Sequence, residues 1–171
     1  MKEDWRENLL NRFYALLPLL FSAVLIALSY LPLQSSLADN ARPAVSLMCV
    51  YFWLIYRPDL FNLGTVFVLG IFTDIASSTP FGSSLLAMLV MYLLVTNLIK
   101  YLNGRVFVVL WIGMAVLLPA CLLLQWTVVS LYYTQPMPLL PLFFSYLLSL
   151  AFYPIVGGIN ALVLNIFLQD D

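Results

Sequence analysis

The sequence predicts an all-α polytopic membrane protein with six transmembrane helices and both termini in the cytoplasm. Three observations lead there. Of 171 residues, 64% are hydrophobic and only 9% charged, whereas a soluble globular domain carries about 45–50% apolar and about 25% charged residues. Too few polar groups exist to cover a water-facing surface. The stretch from Val106 to Gln169 holds no charged residue at all. Finally, the bases segregate: Lys2, Arg6, Arg12, Arg57, Lys100 and Arg105 fall on one side of a six-span layout and only Arg42 on the other. That is the bias of cytoplasmic loops over external ones.

Crossing about 30 Å of hydrocarbon takes about 20 helical residues. Residues 1–12 precede the first span as a cytoplasmic interfacial segment, with Trp5, Leu9 and Phe13 in an apolar stripe suited to the membrane surface. The first span runs from Phe13 to Leu33. Ser36-Leu37-Ala38 resembles a signal cleavage site, but the preceding apolar run exceeds the about 7–15 residues of a signal h-region. Glu3, Asp4 and Glu7 also interrupt the basic N-terminus, so the helix is read as retained. The second span, Pro43 to Tyr56, is short. Arg57-Pro58-Asp59 forms a turn, with Asp59 placed to cap the third span, Leu60 to Ser78. A small polar connection ending at Gly82 leads to the fourth, Ser83 to Ile99. Asn103-Gly104 turns the chain into the fifth, Val106 to Tyr133. Gln135-Pro136-Met137-Pro138 closes the hairpin to the sixth, Leu139 to Leu168. Pro119 and Pro154 kink the last two helices, because each lacks a backbone donor. Residues 13–168 thus form one transmembrane domain, and 169–171 a cytoplasmic tail.

The same inventory narrows the chemistry. A net charge of −1 supplies no basic field for nucleic acid. Histidine is absent, which removes the commonest general base and metal ligand and with them rhomboid-type proteolysis. Aspartyl intramembrane proteolysis needs two facing aspartates, and only Asp74 lies within a span. Cys49 and Cys121 sit in separate apolar runs as core fillers, with no paired-cysteine motif. No catalytic set, cofactor or metal is expected.

Asp74 is the single Asp, Glu, Lys or Arg inside a span, and an intramembrane carboxylate is a functional hypothesis by default. It lies near the outward end of the third span, just before Ser77-Ser78-Thr79. Either it pins the turn into the fourth span by accepting backbone N–H bonds, or it contacts a partner or ligand. Gly70 shares its helical face, with Gly64 roughly on the same side, a small-residue pattern that permits close helix approach. Asn160, near Gly157-Gly158 and Pro154, either bonds across helices or satisfies a carbonyl freed by the proline.

Arg42-Pro43 opens an apolar helix carrying Tyr51 and Trp53. Gly64 follows eleven residues after Trp53, Asp74 ten after Gly64, and Gly82 eight after Asp74. The segment from Gly64 to Gly82, with Gly70, Asp74 and Pro80, resembles the signature of the rod shape-determining protein MreD family. The resemblance covers residues 42–100 well, and length, span number and the Pro154 region extend it. Gln169-Asp170-Asp171 stands where some members carry a basic tail. The resemblance implies a non-catalytic scaffold of the bacterial inner membrane that binds the bitopic protein MreC. It implies work alongside the MreB filament, a RodA-type glycosyltransferase and a penicillin-binding transpeptidase in lateral peptidoglycan synthesis. The family is similar in span number and size to the substrate-capturing subunits of energy-coupling-factor vitamin transporters. A small-molecule transport component, with Asp74, Thr79 and Asn160 lining an outward cavity, is therefore the alternative.

Overall fold

The computed structural model describes residues 3–31, 41–102 and 106–167, with the side chains of 16–31, 41–101 and 106–166. The described residues form six helices: α1 Glu3–Ser29, α2 Val45–Tyr56, α3 Leu63–Ser77, α4 Ser83–Leu102, α5 Phe107–Tyr133 and α6 Leu139–Phe167. Helix α1 starts at Glu3 rather than Phe13. Nothing between them breaks a helix, since that stretch holds neither proline nor glycine. The side chains of the Trp5–Leu9–Phe13 stripe, the Ser36-Leu37-Ala38 segment, the Asn103-Gly104 turn and the 169–171 tail lie outside what is described.

Helix α2 is the hub. Every residue from Val45 to Ile55 is buried, as expected of a helix that is apolar around its whole circumference. It packs against α1, α4, α5 and α6, while α1 packs on α3, α3 on α4, α4 on α5 and α5 on α6. At 12 residues it reaches about 18 Å, well short of about 30 Å of hydrocarbon. A helix sheathed in protein need not match the bilayer, since its ends meet neighbouring segments rather than lipid. Among the described residues, three stretches are long and apolar enough to cross a membrane: Ser83–Tyr101, Phe107–Tyr133 and Leu139–Ile166. Their outer faces carry apolar side chains such as Val116, Leu131 and Leu140.

Aromatic contacts fasten α2 in place. The Tyr51 hydroxyl donates to the Leu110 carbonyl of α5 at 2.8 Å, and the Tyr51 ring meets Tyr153 of α6 edge-on. Trp53 stacks on Phe61 at 6.3 Å between centroids. Across the hub, the Ser149 hydroxyl of α6 accepts from the Ala44 backbone N–H at 2.8 Å, satisfying one amide at the start of α2.

Pro119 and Pro154 lie inside continuous helices. Each deprives the carbonyl four residues earlier of its helical donor. The Ala115 carbonyl receives the Tyr146 hydroxyl of α6 at 3.1 Å, and the Leu150 carbonyl receives the Trp111 indole N–H of α5 at 3.0 Å. The two orphaned acceptors are thus satisfied reciprocally across one interface. Asn160 takes the interhelical alternative: its amide donates to the Cys49 sulfur of α2 at 3.8 Å as well as to the Val156 carbonyl of its own helix at 2.9 Å, and the proline-freed Leu150 carbonyl is left to Trp111.

The cap of α3 also differs from expectation. Asp59 pairs with Arg57 at 3.1 Å, while the backbone N–H groups of Leu60 and Phe61 donate to the Arg57 carbonyl. That extra turn delays the helix start to Leu63, so Asn62 becomes the cap, its side-chain oxygen accepting from the Thr65 N–H at 3.0 Å. Burial pushes the Asp59 carboxyl up, but the Arg57 hydrogen bonds and charge, with the amides of Asp59 and Leu60, hold it net below its ordinary value.

Candidate functional site

The last turns of α3 present Val66, Leu69, Gly70, Thr73 and Asp74 on one buried face. That spacing is the helical period, and it aims the carboxylate at α4. Gly70 allows the approach: a Cβ there would lie 2.8 Å from the Leu85 Cα, closer than real contacts permit. One turn further on, the chain leaves α3 through Ser78 in the left-handed region at φ 55 and enters α4 through Gly82 at φ 98. Ser78 tolerates its conformation, whereas the Gly82 position favours a residue without Cβ.

Asp74 is 2% exposed and occupies the N-terminus of α4. Its Oδ2 accepts from the Gly82 N–H at 2.7 Å, and its Oδ1 from the Ser84 N–H at 2.8 Å. The Leu85 N–H at 3.4 Å and the hydroxyls of Thr79 and Ser83 complete the shell. Ser83 N–H donates to the Pro80 carbonyl and Leu86 N–H to the Gly82 carbonyl. Every backbone donor from Gly82 to Leu86 is therefore accounted for, where a helix start normally leaves four unsatisfied. The carboxylate caps α4 from outside the helix, and the helix dipole in turn favours its negative charge.

The turn is tied onward. Ser77 and Thr79 hydroxyls lie 2.7 Å apart. The Gln125 side chain of α5 donates to the Ser84 hydroxyl at 3.1 Å, so α3, α4 and α5 share one polar cluster. At the same end of the bundle lies a cavity of about 550 Å³. Ser77 and Thr79 form one edge; Tyr30, Arg42, Pro43 and Ser46 another; Gln125, Trp126 and Ser145 belong to the α5–α6 side. The hairpin between α5 and α6 is closed by the Trp126 indole N–H donating to the Met137 carbonyl at 3.1 Å.

The residues singled out in the sequence fall into three places. Gly70, Asp74, Pro80 and Gly82 meet at the α3–α4 turn. Arg42 and Pro43 line the cavity beside it, and the Arg42 guanidinium lies 6.0 Å over the Tyr30 ring. The others lie apart. Gly64 is exposed, and a Cβ there would meet only the Asn62 side-chain oxygen at 3.3 Å. It takes no part in the α3–α4 approach, because six residues from Gly70 is well over one turn and a half and leads to another face. Trp53 is buried in the α2 core, its indole N–H without a partner in the structure. Pro119 and Pro154 shape the α5–α6 interface. Asn160 is buried against Cys49 of α2 at 3.8 Å, away from the cavity.

Sequence reasoning missed Tyr30, Ser84, Gln125 and Ser145 as members of this end of the bundle, and Trp111 and Tyr146 as partners of the proline-freed carbonyls. The prolines signalled that partners were needed; nothing local told which side chains would reach.

Comparison with known proteins adds one match. A family model, MreD: rod shape-determining protein MreD, matches residues 10–164. No curated protein and no solved structure matches.

Proposed function

The chain belongs to the rod shape-determining protein MreD family, and on that premise we propose that this membrane protein of rod shape determination is a non-catalytic scaffold of the cell-elongation machinery. It resides in the bacterial inner membrane, crosses it six times with both termini inside, and binds an MreC-like bitopic protein. Through that protein it supports lateral peptidoglycan synthesis beside an MreB filament, a RodA-type glycosyltransferase and a penicillin-binding transpeptidase. The observation that carries this is the family match, which runs from within α1 to within α6. The site geometry supports it: Asp74, the sole ionisable group of α3, spends its hydrogen-bonding capacity on the α4 start and on two hydroxyls of the same turn.

Depleting the protein in its native cell tests the role. Rods should lose their shape and become round, with lateral wall incorporation declining first. Cells that keep their rod form and wall incorporation after the protein is gone would overturn it. A C-terminal fusion to a fluorescent protein that matures only in the cytoplasm should glow, as inward termini require.

The cavity of about 550 Å³ favours a second reading, a substrate-binding subunit laid out like those of energy-coupling-factor vitamin transporters. A tightly held, water-soluble small molecule that co-purifies at one per chain would favour transport over scaffold.

A further inference from the structure

The cavity has a chemical character that the scaffold role does not use. Connections α1–α2, α3–α4 and α5–α6 converge on it, through Arg42, Thr79 and Met137 respectively. By the segregation of Lys and Arg, this is the end of the bundle from which bases are otherwise absent. The exception, Arg42, lies at the cavity and is exposed. Asp74, at the same end, is bound by the amides of Gly82 and Ser84, so its charge is answered by the α4 start.

Two kinds of wall face each other. On one side stand Arg42, the Tyr30 ring and the hydroxyl-bearing Ser77 and Thr79; on the other, Leu122, Val129 and Leu142 make an apolar stretch beside Gln125 and Ser145. A guanidinium beside hydroxyls is matched to a phosphate oxygen fork, while the apolar wall would gain nothing from a fully hydrated ion. Leu123 and Phe143, next in sequence to the apolar wall, are exposed on the outer faces of α5 and α6, where a hydrocarbon chain would lie. The volume falls in the range of about 300–1,000 Å³ for small-molecule sites.

We propose that this cavity binds the phosphate headgroup of an anionic amphiphile, with Arg42 as its cationic anchor and the chain lying against α5 and α6. The inference does not rest on the scaffold reading and survives if that reading fails.

The full-length protein in mild detergent, titrated with phosphatidylglycerol and followed by native mass spectrometry, tests it. Binding should saturate at one lipid per chain. Arg42→Gln should weaken it about tenfold, the loss of one charge-assisted contact. Arg57→Gln, at the other end of the bundle, should leave it unchanged, and Ser145→Trp should block it by filling the cavity. Dioleoylglycerol, which lacks the phosphate, should bind at least tenfold more weakly. Equal loss in the Arg42 and Arg57 variants, full binding by Ser145→Trp, or equal binding of dioleoylglycerol would overturn the proposal. So would inorganic phosphate bound as tightly as the lipid, which would make this a soluble-anion site. Because Ser145→Trp could disturb folding, its melting temperature is read alongside; if it is lowered, the exposed Arg42 variant decides.

Discussion

Replacing Asp74 with alanine leaves the start of α4 without its cap. The two short bonds, from the Gly82 N–H at 2.7 Å and the Ser84 N–H at 2.8 Å, are charge-assisted. Both donors would be left where water has little access, since Ser84 is buried and Gly82 half-buried. Each unsatisfied buried donor costs about 1–3 kcal/mol, and loss of an N-terminal cap alone costs about 0.5–2 kcal/mol. Removing the carboxylate also relieves its own desolvation, which offsets part of the loss. The net expectation is about 2–4 kcal/mol of destabilisation. For a chain of this size that lowers the melting temperature by on the order of 10 °C, read by thermal unfolding of the purified protein in one detergent. Asp74→Asn keeps one acceptor oxygen and should lose about half as much. Insertion should be normal in both variants, because neither adds a charge to an apolar helix. If Asp74→Ala melts within a degree or so of the natural protein, the cap assigned here is energetically irrelevant.

Other outcomes follow from the same geometry. Gly70→Ala places a Cβ 2.8 Å from the Leu85 Cα and should cost about 1–3 kcal/mol by forcing α3 and α4 apart; Gly64→Ala, on an exposed position, should stay within about 1 kcal/mol in the same melting assay. Trp111→Phe strands the Leu150 carbonyl and should cost about 1–3 kcal/mol. In a Pro154→Ala background the new backbone N–H can serve that carbonyl, so a double-mutant cycle should show coupling of about 1 kcal/mol or more; strictly additive effects would refute the compensation. The Asp59 carboxyl is held below its ordinary 3.8. Its pairing with Arg57 therefore stabilises the turn above that pH, and the contribution fades as pH falls through the lowered value. The melting difference between the natural protein and Asp59→Asn should be small at neutral pH and vanish in acid, since the pair is exposed.

Much of this architecture was legible because the bilayer imposes it. All six apolar segments form helices, and five of the six begin within a few residues of the expected place. What composition could not show is which helix the others bury. Segment Val45–Tyr56 reads like its neighbours in hydropathy, yet it is the buried hub, too short to cross a bilayer upright. Its burial follows from packing on four other helices, a long-range fact. Capping divided in the same way. Asp74 and Gly82 were visible as a conspicuous charge and a turn glycine, eight residues apart. Asp59 misled, because local propensity cannot see one added turn that moves the cap to Asn62. Gly64 misled as well, since a small residue marks close approach only when its face is turned toward a neighbour. The reciprocal bonds from Trp111 and Tyr146 were half legible: proline guarantees an orphaned carbonyl at the fourth preceding residue, but its rescuer comes from another helix.

The central claim is that this chain does its work by holding a bitopic partner in the membrane. Mild-detergent extracts of native cells expressing the tagged full-length protein, passed over affinity resin, test it most directly. The account predicts that an MreC-like protein elutes with the chain in near-stoichiometric amount and migrates with it as one species. An intact, monodisperse chain that elutes free of any MreC-like protein, while that protein is present in the same extract, would contradict it.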